Sequence, residues 1–116
     1  MHHAETTHLQ ECIANCRECA TVCLQTARHC LDLAGEHAAA AHIVTLLDCA
    51  DICYTSAAFM SRGSDMHQRT CEVCAEACER CAEACERFPD DATMRACAEM
   101  CRRCAESCRR MASMAA

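Results

Sequence analysis

Cysteine recurs along this chain at the period of an α-helix. It stands at Cys12, Cys16, Cys19, Cys23 and Cys30, then at Cys49 and Cys53, then at Cys71, Cys74, Cys78, Cys81 and Cys85, and last at Cys97, Cys101, Cys104 and Cys108. Within each group nearly every step is three or four residues, and Cys23 to Cys30 is one full heptad. Residues so spaced share one helix face, so each group writes a thiol stripe at the a and d positions of a helical seam. From Cys74 onward the heptad Cys-Ala-Glu-x-Cys-(Glu/Arg)-Arg occurs four times, starting at Cys74, Cys81, Cys97 and Cys104. Each copy places Glu four residues before Arg (Glu76 and Arg80, Glu83 and Arg87, Glu99 and Arg103, Glu106 and Arg110). Such pairs support an exposed helix surface by roughly 0.2–0.5 kcal/mol each. One repeat thus encodes a polar outside and a thiol inside.

Breakers separate the stripes. Thr7-His8-Leu9-Gln10 fits a capping box and Gly35 a helix stop, which predicts a first helix over residues 7–34. Gly63 ends a second, over 38–62. Ser64 or Asp65 caps a third, over 65–88, which stops at Phe88-Pro89. Asp90 or Asp91 caps a fourth, over 91–114. Short connections make neighbours antiparallel. The expected fold is all-α, an antiparallel up-down-up-down four-helix bundle with a Cys-lined core, as one domain over residues 1–116.

Such a core is unusual. The chain has no Trp, one Tyr and two Phe, so large side chains fill little of it. Natural cores favour Leu, Ile, Val and Phe for volume and defined rotamers. Bare thiols pack poorly unless something occupies the space between them. Disulfides are one candidate, but Cβ atoms three or four residues apart on a helix lie roughly 5–6 Å apart, against about 3.8 Å in a disulfide. The start, Met1 to His8, lacks a basic segment followed by an apolar run, so neither an export signal nor a transmembrane segment is read. A chain made without such a signal meets a reducing compartment, where structural disulfides are rare. A net charge of -6 supplies no basic patch, which argues against nucleic acid as a partner.

Metal is the remaining filler. Thiolate-only surroundings select soft ions: Cu(I), Zn(II) or iron–sulfur clusters. Zinc asks for four ligands in a tetrahedron, whereas stripes on facing helices supply sulfurs in rows. Iron–sulfur clusters use loop-borne runs such as the one ending in Cys-Pro, and Cys71-x2-Cys74-x3-Cys78 lies mid-helix without Pro. Cu(I) accepts two thiolates in line or three in a plane, which suits rows of close pairs. A buried thiolate needs compensation, so charge balance asks for roughly one monovalent cation per thiolate and hence many Cu(I) ions per chain. No nucleophile–base–orienter set appears, so no enzymatic activity is read. A zinc-buffering bundle and a thiol redox protein stay open as alternatives.

These stripes resemble the copper storage proteins, a bacterial family of Cys-lined four-helix bundles. The resemblance runs from about Leu9 to Met111 and rests on Cys12-x3-Cys16, Cys19-x3-Cys23, Cys49-x3-Cys53, Cys74-x3-Cys78, Cys81-x3-Cys85, Cys97-x3-Cys101 and Cys104-x3-Cys108. It implies Cu(I) storage in the bacterial cytoplasm, a homotetramer of bundles, and metal loaded through one open end. The second helix holds fewer cysteines than the others.

Continued past the sulfurs, the stripes reach His8, Met60, His67 and Met111 at one end, with Met66 and Met114 close by. Two imidazoles and two thioethers converging there are expected to form the mouth. At the other end Leu33, His42, Phe88 and Met94 read as a hydrophobic plug. The second helix also carries Ile43, Val44, Leu47, Ile52, Tyr54 and Phe59 beyond its inner face, surplus apolar surface of the kind that marks an interface between copies. The donor of copper, a copper chaperone or a small-thiol complex, is not legible in the sequence.

Overall fold

A computed structural model describes residues 3–114, with side chains from Thr6 onward. Four helices make up the fold: α1 (His3–Leu33), α2 (Ala40–Ser61), α3 (His67–Glu86) and α4 (Ala92–Ser113), with a short 3-10 turn, Gly35–Ala38, between the first two. The bundle measures 48 × 20 × 17 Å. Its long axis matches α1, since 31 residues at about 1.5 Å each span about 46 Å. α1 packs on α2 and α4, and α3 packs on the same two. The expected up-down-up-down bundle is the fold found.

The ends differ from expectation in instructive ways. α1 starts at His3, four residues before Thr7, because Ala4 and Glu5 favour helix and nothing before the capping box breaks it. It stops at Leu33, where Ala34 itself takes φ +61°, ahead of Gly35 at the same angle. A left-handed non-glycine residue costs about 1–2 kcal/mol. α2 closes in a Schellman motif: Ser64 N–H donates to Phe59 O at 3.0 Å and Gly63 N–H to Met60 O at 3.1 Å, with Gly63 at φ +67°. Neither Ser64 nor Asp65 caps α3. The Ser64 hydroxyl instead accepts from Met66 N–H within the turn, and α3 begins at His67. Pro89 disfavours helical backbone in the residue before it, and α3 ends at Glu86. Asp91 caps α4 as expected, its Oδ1 accepting from Thr93 N at 2.9 Å and Met94 N at 3.2 Å.

Of the four Glu/Arg pairs in the heptads, only Glu76–Arg80 closes among the described residues, at 2.7 Å. Arg110 turns to His8 and Glu11 on α1. The arginine before the repeat's last one goes across helices instead: Arg102 grips Glu86 and Arg109 grips Glu79, both bidentate. These pairs tie α4 to α3 on the surface, where solvent screening keeps each contribution small.

α2 is long and apolar enough to cross a membrane by length and composition alone. Here it forms one wall of the bundle, with His42, Leu46, Cys49, Cys53, Ser56 and Met60 turned to the core.

Candidate metal centre

All sixteen cysteines are free and fully buried. The Cys-x2/x3 spacing keeps every thiol of a helix on its inner face, and alanines such as Ala20, Ala50, Ala75 and Ala82 flank them. These small neighbours let the helices approach and bring sulfurs together across the core. Cys16 Sγ lies 3.5 Å from Cys108 and 3.7 Å from Cys104. Cys53 lies 3.6 Å from Cys74, 3.7 Å from Cys78 and 3.9 Å from Cys104. Cys23 lies 3.8 Å from Cys101 and 3.9 Å from Cys81. A disulfide needs about 2.05 Å; the column is one of separate thiols.

The sulfurs form overlapping groups rather than simple rows. Cys16, Cys74, Cys104 and Cys108 lie within 4.8 Å of one another. So do Cys19, Cys53, Cys78 and Cys104; Cys19, Cys23, Cys49 and Cys101; and Cys23, Cys81, Cys97 and Cys101. Cys12, Cys71 and Cys108 make a group of three at one end. This corrects the expectation of rows without fours: four helices surrounding one axis face their stripes inward, and each level of the bundle gathers sulfur from several of them. Tetrahedral Zn–S bonds of about 2.3 Å would set sulfurs about 3.8 Å apart, so spacing alone admits zinc.

Charge discriminates where spacing does not. The chain's cations are eleven arginines, all exposed, and the buried polar side chains are Thr26, His42, Ser56 and Ser107. Among the described residues no protein cation reaches the thiol column. Its mid-helix backbone N–H groups are already spent on the helix ladder. Four thiolates around one Zn(II) would leave two negative charges uncompensated there, whereas Cu(I) at one ion per thiolate leaves none.

The thiols also titrate as a set. A sulfur that loses its proton is steadied by S–H donors around it, and those neighbours then hold their own protons harder. Cys16 is pulled down chiefly by Cys104 and Cys108, and Cys49 chiefly by Cys101 and Cys19. Cys53 is pushed up chiefly by Cys104 and Cys16, and Cys101 chiefly by Cys19 and Cys23.

Cys30 stands apart. Its Sγ lies 3.5 Å from His42 Nε2 and 3.5 Å from Met94 Sδ. Burial pushes this thiol up to about 11, with the charges of Asp91, Cys97 and Cys81 acting the same way. Burial, then the charges of Arg87 and His37, pulls His42 below its ordinary value, which keeps the imidazole neutral. His42 Nδ1 is buried without a hydrogen-bond partner, a cost of about 1–3 kcal/mol. A thiol, a thioether and a neutral imidazole therefore converge where the stripes predicted a plug. Leu33, expected in that plug, is 53% exposed, because α1 ends there and Ala34 turns the chain away. Phe88 is half-buried and lies against His37 and His42, with ring centroids 4.0 and 5.3 Å away.

At the opposite end Met60 and Met111 are buried, and Met60 Sδ lies 3.6 Å from Cys71 Sγ. The two histidines expected beside them are half-buried, each with its Nδ1 engaged. His8 Nδ1 accepts from Arg110 at 3.0 Å, so the proton sits on Nε2. His67 Nδ1 donates to Ser64 O at 2.8 Å, which leaves its Nε2 lone pair free. Ser56 continues the cysteine period of α2, between Cys53 and Met60, and its hydroxyl lies 3.3 Å from Cys71 Sγ. The period of α2 thus places an oxygen among sulfurs.

Comparison with known proteins agrees with this geometry. The profile of the copper storage protein family matches residues 5–113. No curated protein sequence matches the chain. The Nmul_A1745 protein of Nitrosospira multiformis superposes with a TM-score of 0.88 at 43% identity, covering 93% of this chain and 97% of that one. Copper storage protein 3 of Bacillus subtilis in its Cu(I)-bound form gives 0.85 at 33% identity, over 91% and 99%. A cytosolic copper storage protein from Streptomyces lividans, loaded with five coppers, gives 0.85 at 30% identity, over 95% and 96%. With the family profile matching nearly the whole chain and the fold shared at 30–43% identity, the chain belongs to the copper storage protein family.

Proposed function

We propose that the protein stores and buffers many Cu(I) ions on the thiolates of its core. The observation that carries this is a column of sixteen fully buried sulfurs with no protein cation among the described residues inside it. Thiolates formed there need compensation from an ion that enters with them, and a soft monovalent one balances them singly. The Cu(I)-bound relative supports the same reading. In this role the protein turns over no substrate and works in the cytoplasm, as the Streptomyces relative is described to do. Delivery falls to a copper chaperone or a small-thiol copper complex.

Thiols pushed up by their neighbours, such as Cys53 and Cys101, keep their protons near neutral pH, and a metal ion binds only the thiolate. Adding Cu(I) to the reduced protein in weakly buffered anaerobic solution should therefore release roughly one proton for each protonated thiol engaged. Reactive thiols should disappear in step. Because protons compete for the same sulfurs, affinity should fall as pH falls. Metal uptake with no acidification, or thiols that stay reactive, would defeat the storage reading.

For the route of loading we propose the opposite end of the bundle. His8, Met60, His67 and Met111 were the expected mouth, but His8 is turned to Arg110. The Cys30–His42–Met94 end lies beside two surface hollows. One of about 290 Å³ is lined by His42, and one of about 640 Å³ is lined by His29, His37 and Phe88. Metal loading is assigned to this end. Stopped-flow uptake should slow in Met94→Leu and His42→Gln while capacity falls by about one ion at most. Met60→Leu, Met111→Leu and His67→Gln should load at the parent rate. Equal slowing from the second set would return the mouth to that end.

A homo-oligomer, on the resemblance a tetramer, is supported by the outer face of α2. Val44, Leu47 and Tyr54 are 53%, 39% and 47% exposed there. Ile43 and Ile52 add half-buried area beside them. Sedimentation of the wild type against Val44→Glu/Leu47→Glu tests this: an unchanged sedimentation coefficient would remove α2 from any interface.

A further inference from the structure

A second set of metal-ligating side chains lies outside the thiol column. Asp91 Oδ2 accepts from His29 Nε2 at 2.8 Å and from His37 Nε2 at 3.1 Å. The three side chains come from three separate pieces of chain: α1, the 3-10 turn and the cap of α4. They are sheltered but reachable, with 31%, 23% and 16% of the His29, His37 and Asp91 side chains exposed. The two rings stand edge to face at 6.3 Å. All three line the hollow of about 640 Å³ at the end of the bundle.

We propose that His29, His37 and Asp91 form a site for one borderline divalent cation of the zinc or Cu(II) class, separate from the Cu(I) store. Imidazole and carboxylate suit such ions, whereas thiolate suits Cu(I). Two His and one carboxylate with a fourth position open to water is a familiar zinc set. The hollow supplies that water. In the metal-free protein the carboxylate stands in for the ion, since it can only accept and so fixes both histidines with Nε2–H toward it. Binding moves each proton to Nδ1, closes both Nε2 atoms from hydrogen-bond distance onto a metal at about 2.0–2.1 Å, and keeps Asp91 as the third ligand. Asp91 is prepared for this. The His29 hydrogen bond, followed by those from Met94 and Thr93 N–H, holds its carboxyl down at about 2 despite an opposing contribution from burial. It therefore stays ionised. The pairing of chemistries divides the molecule: a soft interior, and at its end a nitrogen–oxygen site that takes the ions the interior discriminates against by charge.

The test uses protein whose thiols are first saturated with Cu(I), so that added Zn(II) meets only the remaining ligands. A failure of the storage reading would show at that first step, before any zinc is added. Calorimetric titration with Zn(II) is then expected to find one equivalent per chain. His29→Gln and His37→Gln should each weaken it by at least about tenfold. Asp91→Asn should do the same while keeping the α4 cap, because Asn caps helices as well as Asp does. His67→Gln should leave it unchanged. No zinc uptake by the copper-loaded protein, or uptake that survives all three site variants, would overturn the proposal.

Discussion

Anaerobic titration of the reduced protein with Cu(I) is expected to continue far past one or two equivalents, toward the order of one ion per thiol, and to raise the melting temperature by tens of degrees. The size of the effect follows from mass action. A ligand that binds only the folded state, at a thousand times its dissociation constant, stabilises it by about 4.1 kcal/mol per site. A domain of this size has a total stability of only about 5–15 kcal/mol. A few occupied sites match that total, and each further kcal/mol moves the melting point by roughly 2–8 °C. Zinc should behave differently. Its complete four-sulfur groups overlap: the Cys16/Cys74/Cys104/Cys108 and Cys23/Cys81/Cys97/Cys101 groups share no residue, while the other two reuse Cys104, Cys23 or Cys101. No more than two of these groups can be filled together, and each would carry excess negative charge. Calorimetry and scanning calorimetry on the two metals check both halves. Saturation by one or two Cu(I), or a zinc capacity equal to that of copper, would refute the account.

The stripes were legible because cysteine is rare and period is a strong signal. Helix count, direction and the inward face of every thiol follow from steps of three and four, and no tertiary information was needed to place Cys12 to Cys108 in one interior. What one helix cannot encode is the registry between helices. The gathering of Cys19, Cys53, Cys78 and Cys104 draws on all four helices, and no spacing within any of them announces it. The same limit misplaced Leu33. Leu33 has the right period for a plug, but the left-handed turn at Ala34 leaves it in solvent. His29 and His37 fall off the stripe, so its period does not point to them. Their shared partner, Asp91, lies more than fifty residues away. Side-chain competition hid the fate of the arginines too. Glu106 and Arg110 have the spacing for a pair, yet Arg110 finds His8 and Glu11 across the groove.

The position of Ser56 turns the store into something that can be enlarged. Ser56 is fully buried on the α2 stripe, 3.3 Å from Cys71, and Cys71 belongs to the one group that has three sulfurs rather than four. An alcohol oxygen is a hard donor and a poor ligand for Cu(I). Ser56→Cys should therefore complete a fourth corner beside Cys12, Cys71 and Cys108 and raise Cu(I) capacity by about one ion, at little cost to the metal-free fold because the side chains differ by a single atom. The converse is Cys104→Ser. Cys104 is shared by two four-sulfur groups, so one substitution damages both, and capacity should fall by about two ions. Cys30→Ser, whose sulfur neighbours His42 and Met94, should cost about one and leave the column intact. Serine is the right probe in each case, since position 56 shows that the core accepts a hydroxyl against a thiol. Copper per chain after gel filtration of the loaded variants gives the comparison. Equal losses from Cys104→Ser and Cys30→Ser would mean that the thiols act as independent ligands, and that the shared groups in the bundle carry no chemistry of their own.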